Sequence, residues 1–205
     1  PALFRNRGDG TFADVTAASG LLALTRATYS AAFGDYDRDG DLDLALAHWN
    51  SILVPGESSE TLWRNDGRGR FTDVSRESGI AAALLAGSEL AFDFTFTPNF
   101  ADLDDDGRLD LLIAADIGSS RVFRNRGDGT FEDRTDRTVI SDENGMGAAV
   151  GDVDGDGVLD WFVSSIWDPD GVAEGAWGVS GNRLYRGRGD GTFADVTTAA
   201  GVREG

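Results

Sequence analysis

Three short segments of the chain concentrate aspartate in the pattern D-x-D-x-D-G-x-L-D. We name them loop I (residues 35–43), loop II (102–110) and loop III (152–160). Aspartates at positions 1, 3 and 5 turn three carboxylates toward one side of the loop, and the glycine at position 6 permits a sharp turn. Calcium takes six to eight oxygen ligands of this kind. The pattern therefore predicts a calcium site in each loop, about three ions in all.

Within each loop, positions 1, 3, 5 and 9 supply carboxylates and position 7 supplies a backbone carbonyl. An EF-hand would carry glutamate at position 12, but Leu46, Ile113 and Val163 occupy it and fit strand interiors. We therefore expect the loops to join β-strands. The predicted ligands are Asp35, Asp37, Asp39, Asp41 and Asp43; Asp102, Asp104, Asp106, Arg108 and Asp110; and Asp152, Asp154, Asp156, Val158 and Asp160, with Asp41, Arg108 and Val158 acting through their carbonyl oxygens.

Polar turns and magnesium sites are the two alternatives to calcium in these loops. Loops rich in Asp and Gly also form ordinary polar turns, but three copies in register favour a metal site. The chain carries a formal charge of −18, and the carboxylates crowded into each loop repel one another unless a cation lies among them. Magnesium prefers few protein carboxylates and several waters, so calcium is favoured.

Composition excludes several kinds of catalysis. All 18 basic residues are arginine, so no lysine is present to bind phosphate in a P-loop, form a Schiff base or act as a general base. Cysteine is absent and His48 is the single histidine, which excludes thiol nucleophiles and histidine clusters. The eight glutamates stand in no recognisable catalytic context. We therefore predict that the chain is not an enzyme.

The acidic character of the chain also limits its partners. A pI of about 4.2 makes nucleic acid and anionic membrane surfaces poor partners. No apolar run approaches the ~20 residues of a membrane-spanning helix, so membrane insertion is not expected. The sequence contains no recognisable signal peptide.

A second motif repeats between the aspartate loops. The segment LFRNRGDGTF at residues 3–12 recurs at 122–131 and 184–193 with small changes, and a looser copy occupies 62–71. The closing phenylalanines are 59, 60 and 62 residues apart, a period typical of repeat architectures. We expect the aromatic residues at the second position of the motif to pack inside each repeat; they are Phe4, Trp63, Phe123 and Tyr185.

Each repeat reads as four short strands. In the first full repeat these are residues 31–34, 42–48, 61–65 and 71–74, each apolar or β-branched and bounded by Asp, Gly or Asn. A four-stranded antiparallel unit at this period predicts an all-β fold, a β-propeller. Residues 75–87 alone are long and apolar enough for a short helix.

The repeats divide the chain into a half blade and three blades. The predicted divisions are 1–20 for the half blade and 21–80, 81–138 and 139–205 for the full blades. Propellers usually need four to eight blades, so about three and a half cannot close a ring alone. We expect missing blades or a homo-oligomer to complete the ring, and the start in mid-repeat favours a fragment.

The paired motifs resemble the FG-GAP/VCBS repeat family, which includes the β-propeller of integrin α subunits and many bacterial exported proteins. The resemblance rests on Phe33-Gly34-Asp35 before loop I, on Leu42-Asp43-Leu44, and on the repeated Gly-Asp-Gly-Thr-Phe turn. The segment 145–152, GMGAAVGD, also resembles repeats upstream of UnbV/ASPIC domains. The resemblance implies a ring of calcium-pinned blades, found mostly outside the cytoplasm, that serves adhesion, protein or glycan recognition, or scaffolding.

These observations predict a non-catalytic, calcium-binding recognition or scaffold module, extracellular or periplasmic, with an unknown protein or glycan ligand. The alternative is the propeller portion of a calcium-dependent polysaccharide-degrading enzyme. Trp49, Trp167 and Trp177 fall in predicted loops, where an aromatic ring can stack on a sugar or anchor a partner. They are the candidate ligand-binding residues, with rim packing as the alternative.

Overall fold

A computed structural model describes residues 2–24, 26–88, 91–168, 178 and 180–203. Within them the regular secondary structure is mostly β-strand. The strands are β1 Phe4–Asn6, β2 Phe12–Asp14, β3 Thr28–Gly34, β4 Asp43–Ile52, β5 Leu62–Asn65, β6 Phe71–Asp73, β7 Phe92–Ala101, β8 Asp110–Ala115, β9 Arg121–Asn125, β10 Phe131–Asp133, β11 Gly145–Gly151, β12 Asp160–Ser165, β13 Arg183–Gly187 and β14 Phe193–Asp195. The helices are α1 Thr16–Ser19, α2 Ile80–Ala86 and α3 Thr197–Ala200, with a 3₁₀ turn at Leu21–Ala23.

The strands form three antiparallel meanders of four, β3 to β6, β7 to β10 and β11 to β14, preceded by the β1–β2 hairpin. The second and third strands keep the same register in every meander, with Leu44 opposite Trp63, Leu111 opposite Phe123 and Trp161 opposite Tyr185. The all-β propeller prediction is confirmed, and the meanders are its blades. Their strands lie within residues 21–80, 81–138 and 139–205, while the division into domains stays a prediction.

Strand β4 is longer than the sequence predicted. The predicted strand ended at His48, but β4 runs to Ile52 because its last residues pair with the start of β7, with Trp49 opposite Phe94. A single antiparallel bridge between Asp116 and Asn144 links the second and third blades at the corresponding place. Backbone hydrogen bonds therefore connect the described blades to one another as well as within themselves.

Apolar clusters fill the space between neighbouring blades. Leu62 of the first blade shares one cluster with Leu111 and Phe131 of the second. The side chain at position 2 of loop I, Tyr36, packs its ring 5.6 Å from that of Phe131. Loops I and II therefore contribute to the core through position 2, where Leu103 is also buried, whereas Val153 at position 2 of loop III is exposed. The predicted helix in 75–87 is shorter than expected, and as α2 it covers this core through Ile80 and Leu84.

The β1–β2 hairpin differs from its repeats in exposure. Phe12 is 60% exposed, whereas the matching Phe131 in the second blade is 8% exposed. Phe4 is likewise exposed, although the sequence predicted that it would pack like Trp63, Phe123 and Tyr185, which are buried. The reason is that β1 pairs with β2 alone and has no described strand on its other side. No helix among the described residues is long and apolar enough to cross a membrane.

Candidate metal centre

Each aspartate loop joins the first two strands of a blade, as predicted. Loop I connects β3 to β4, loop II connects β7 to β8, and loop III connects β11 to β12. The ladders end at the pairs Gly34–Asp43, Ala101–Asp110 and Gly151–Asp160. The two ends of every loop are therefore held side by side by strand pairing, and the nine residues turn back within that distance.

Three carboxylates come together in each loop. One oxygen from each residue of a trio lies within 4.8 Å of the others. The spacing suits a single cation bridging three carboxylates, the arrangement that calcium favours. The trios are Asp35, Asp37 and Asp39 in loop I; Asp102, Asp104 and Asp106 in loop II; and Asp152, Asp154 and Asp160 in loop III.

Backbone hydrogen bonds fix the turn of each loop. The N–H of the glycine at position 6 donates to Oδ2 of the aspartate at position 1, from Gly40 at 3.1 Å, Gly107 at 2.9 Å and Gly157 at 2.9 Å. All three glycines have φ between +81° and +93°, the left-handed region that a side chain disfavours. The predicted role of position 6 is therefore visible in the backbone.

Two carboxylate oxygens in these loops are buried without a hydrogen-bond partner among the described residues, Asp35 Oδ1 and Asp104 Oδ1. The Asp104 side chain is only 8% exposed. Burial, followed by the charge of Asp106, raises the pKa of Asp104 above its ordinary value, and burial followed by Asp39 does the same for Asp37. A buried, unpaired carboxylate oxygen is costly unless a cation satisfies it. The donors present therefore fit a hard divalent cation.

The aspartate at position 9 has a structural task that the sequence interpretation missed. Asp110 Oδ1 accepts the backbone N–H of Asn125 at 2.8 Å, and its Oδ2 accepts that of Leu103 at 3.3 Å. Asp43 and Asp160 accept the matching N–H groups in the other blades. Only Asp160 of the three belongs to a trio. Burial raises the pKa of Asp43 and of Asp110 to about 6.

Of the other predicted ligands, Asp41 and Asp156 lie outside the trios. Position 7 of each loop, where Asp41, Arg108 and Val158 stand, donates its backbone N–H at 2.9 Å to Oδ1 of the aspartate at position 5. These contacts define the turn without testing whether the position 7 carbonyls bind metal. Ligation stays a prediction for all the predicted residues, those of the trios as well as Asp41, Asp43, Asp110, Asp156, Arg108 and Val158.

Arginine side chains reach into loops II and III, which the sequence interpretation also missed. Arg124 on β9 forms an ion pair with Asp104 and lies 3.7 Å from Asp106. Arg186 on β13 places Nη2 2.7 Å from Asp154 Oδ2 and 2.8 Å from Asp156 Oδ2. Arg108 also contacts Asp106 from within loop II. The signal was available in the repeated Leu/Val-x-Arg at the start of the second motif.

The candidate ligand-binding tryptophans have different surroundings. Trp49 lies in β4, not in a loop, and its ring packs 6.1 Å from those of Tyr29 and Phe96. Its Nε1 donates to Asp116 Oδ2 at 3.2 Å. Trp167 is half-buried beyond the end of β12, and Trp177 lies outside the described residues. Their role in ligand binding stays a prediction.

A sequence model of the FG-GAP-like repeat matches residues 1–46 and 102–163, more than half of the chain. The chain belongs to the FG-GAP-like repeat family. The resemblance predicted from the repeated motifs is therefore confirmed. The matched segments include the whole of loops I, II and III, so the family assignment and the carboxylate trios concern the same residues.

The curated relatives of this FG-GAP-like repeat chain include cartilage acidic protein 1 from Xenopus tropicalis and from Homo sapiens, each 29% identical over 89% of the chain. The chain spans only 28% and 27% of the length of these relatives.

Among solved structures, an Agrocybe aegerita lectin, described with its specific recognition of non-reducing terminal N-acetylglucosamine, aligns with a TM-score of 0.51. The alignment covers 94% of this chain and 45% of the lectin chain at 20% identity. That likeness concerns the fold alone and agrees with the propeller architecture.

Proposed function

We propose that this chain is a calcium-stabilised, non-catalytic recognition or scaffold module that works outside the cytoplasm. The observation that carries the metal assignment is the pair of buried, unpartnered oxygens, Asp35 Oδ1 and Asp104 Oδ1, each within a trio of carboxylates. A turn that served only as a polar surface would expose such oxygens to water.

In this proposal calcium would stabilise the folded chain. In loops I and II the ligands would be the aspartates at positions 1, 3 and 5. In loop III they would be Asp152, Asp154 and Asp160. When bound, the ion would neutralise carboxylates that otherwise repel across each turn. Because the loops assemble only in the folded chain, metal affinity adds to folding stability, by about 2.7 kcal/mol per site at a hundredfold excess over the dissociation constant.

Family membership supports a recognition or scaffold role, since the repeat is typical of exported binding modules. Glycans are one ligand class to test, because the lectin with the similar fold recognises N-acetylglucosamine. A non-catalytic role is supported by the surroundings of His48, which is fully buried. Its Nδ1 lies 3.3 Å from Thr28 Oγ1 and its Nε2 lies 3.0 Å from Glu60 O, so both ring nitrogens are engaged in the fold.

Thermal unfolding in calcium, in magnesium and in EGTA tests the metal assignment. We expect calcium to raise the melting temperature well above its value in EGTA, and magnesium to raise it less. Asp104→Asn should reduce the calcium effect, whereas Asp105→Asn, an exposed neighbour in the same loop, should leave it intact. Equal melting temperatures in calcium and EGTA would overturn the calcium assignment.

Binding and turnover assays test the recognition role separately. Glycan arrays and pull-downs with extracellular proteins should detect a ligand, while polysaccharides incubated with the chain should remain uncut. Calcium-dependent polysaccharide cleavage that is lost on replacing an acidic residue outside the loops would contradict the non-catalytic assignment.

A further inference from the structure

The three loops differ in how their negative charge is balanced. In loop II the guanidinium of Arg124 contacts Asp104 and Asp106, the aspartates at positions 3 and 5. In loop III, Arg186 contacts Asp154 and Asp156 at the same two positions. Loop I has an arginine at the matching place on β5, Arg64, but no ion pair joins it to that loop among the described residues. The same repeat position therefore forms ion pairs with loops II and III, whereas in loop I the charge of Arg64 offsets part of the rise in the pKa of Asp37 that burial causes, without an ion pair among the described residues.

The two arginines contact carboxylates that a bound cation would also use. Position 3 belongs to the carboxylate trio of every loop, and position 5 to those of loops I and II. A divalent ion in loop II would draw on the same carboxylates that Arg124 contacts, and like charges this close repel. The Arg124 and Arg186 side chains are 39% and 47% exposed, so each can swing into water without a large desolvation cost.

We propose that Arg124 and Arg186 are built-in competitors of the divalent cation, so that loop I binds calcium more tightly than loops II and III. This inference rests on the proposed calcium function. An arginine could instead orient its aspartates and raise metal affinity. Competition is the stronger effect here, because backbone hydrogen bonds from positions 6 and 7 already hold the loops in shape.

The glycine at position 6 provides a separate reporter for each loop. The amides of Gly40, Gly107 and Gly157 donate to the position 1 aspartates of loops I, II and III. A calcium titration of the ¹⁵N-labelled chain, followed through these three amide signals, measures each site by itself. We expect the Gly40 signal to saturate at the lowest calcium concentration.

Replacing the arginines tests the competition directly. Arg124→Gln should lower the calcium midpoint of the Gly107 signal by roughly two- to fivefold, the range for partly exposed ion pairs, and leave Gly40 and Gly157 unchanged. Arg186→Gln should do the same for Gly157 alone. Arg124→Lys retains the charge and should stay near the wild-type midpoint. Arg64→Gln is the matched control and should shift Gly40 less than Arg124→Gln shifts Gly107.

Melting in EGTA provides a readout without metal. Arg124→Gln removes the positive charge that pairs with Asp104, so the melting temperature of this variant in EGTA should be lower than that of wild type. Saturating calcium should restore the melting temperature of the variant to the wild-type value. An unchanged or higher calcium midpoint in Arg124→Gln and Arg186→Gln would overturn the inference while leaving calcium binding intact. If none of the three wild-type glycine signals moved up to about 10 mM calcium, beyond the range of weak extracellular sites, the proposed calcium function and this inference would both be wrong.

Discussion

The backbone N–H of Asn125 donates to Asp110 Oδ1 at 2.8 Å, and this bond ties loop II to the third strand of its blade. The second oxygen of the same carboxylate accepts the N–H of Leu103 at 3.3 Å. The Asp110 residue is 2% exposed, so water cannot replace either bond. The matching aspartates Asp43 and Asp160 make the same pair of bonds, so the contact is a repeated part of the blade.

Asp110→Asn should therefore destabilise the chain even when calcium is absent. The amide keeps one acceptor oxygen and turns an N–H₂ group toward a backbone donor, at an expected cost of about 1–2 kcal/mol. Asp105→Asn makes the same charge change at an exposed position of the same loop and should stay within about 0.5 kcal/mol of wild type. Urea unfolding in EGTA measures both variants. Equal stabilities would show that the position 9 contact does not hold the blade.

The closing phenylalanines should contribute differently to the free energy of unfolding, although they occupy the same position in the repeat. Phe131 is 8% exposed and packs against Tyr36, so Phe131→Ala should cost about 3–5 kcal/mol. Phe12 is 60% exposed, and Phe12→Ala should cost less than about 1 kcal/mol. Denaturant unfolding of the two variants checks the difference. Similar losses would mean that the β1–β2 hairpin is packed in solution.

The hydrogen bond from Trp49 to Asp116 should contribute to stability. Trp49→Phe keeps an aromatic ring beside Tyr29 and Phe96 but leaves the buried Asp116 Oδ2 without its indole donor, an expected cost of about 1–2 kcal/mol. A double-mutant cycle with Asp116→Asn isolates the pairwise contribution. Glycan binding measured on the same variants separates this structural role from ligand contact. A coupling energy near zero would contradict the predicted contribution.

Asp142 should make stability depend on pH. Its pKa is raised from the ordinary value of 3.8, chiefly by burial, although Ser120 Oγ at 2.6 Å and Tyr185 OH at 3.0 Å both donate to it. The folded chain therefore holds this proton more tightly than the unfolded chain. Stability from this group is present below pH 3.8 and is lost as the pH rises through the raised folded pKa.

Asp142→Asn removes the ionisable carboxyl and with it this loss of stability. The stability of the variant relative to wild type should therefore improve as the pH rises from about 4 to 7. Asp136 is the control of opposite sign, because the hydroxyl of Thr138 lowers its pKa. Asp136→Asn should lose stability relative to wild type mainly below about pH 4, as the pH rises from the lowered folded pKa to 3.8, and should change little between about pH 4 and 7. Urea unfolding at a series of pH values in EGTA measures both. A flat difference for Asp142→Asn would show that the buried carboxyl titrates normally.

The aspartate loops were predictable because everything that defines them is local. Three carboxylates, a glycine and the two flanking strands fall within about a dozen residues, and the same pattern recurs at a steady period. Spacing along the chain then fixes spacing in space, since a short loop between paired strands cannot place its side chains far apart. The trio in loop II, Asp102, Asp104 and Asp106, is explained by the spacing of the sequence pattern without any other contact.

Loop III differs from the pattern in the membership of its trio, and its ion pairs come from outside the loop. Asp154 Oδ2 and Asp156 Oδ2 both accept from Arg186, which comes from a strand 30 residues later in the chain. The trio there consists of Asp152, Asp154 and Asp160 in place of Asp156. The spacing within the loop does not encode this contact, although the repeated Leu/Val-x-Arg places an arginine at the same position in each blade.

By itself, the sequence determined the blade pattern, the position of the loops and the family, because each of these is encoded by residues close together and repeated along the chain. Only the tertiary structure decided which repeat positions are buried, that Trp49 faces Asp116, and which loops have an arginine beside them. Those properties depend on which strand lies next to which, and such pairings join residues that are distant in sequence.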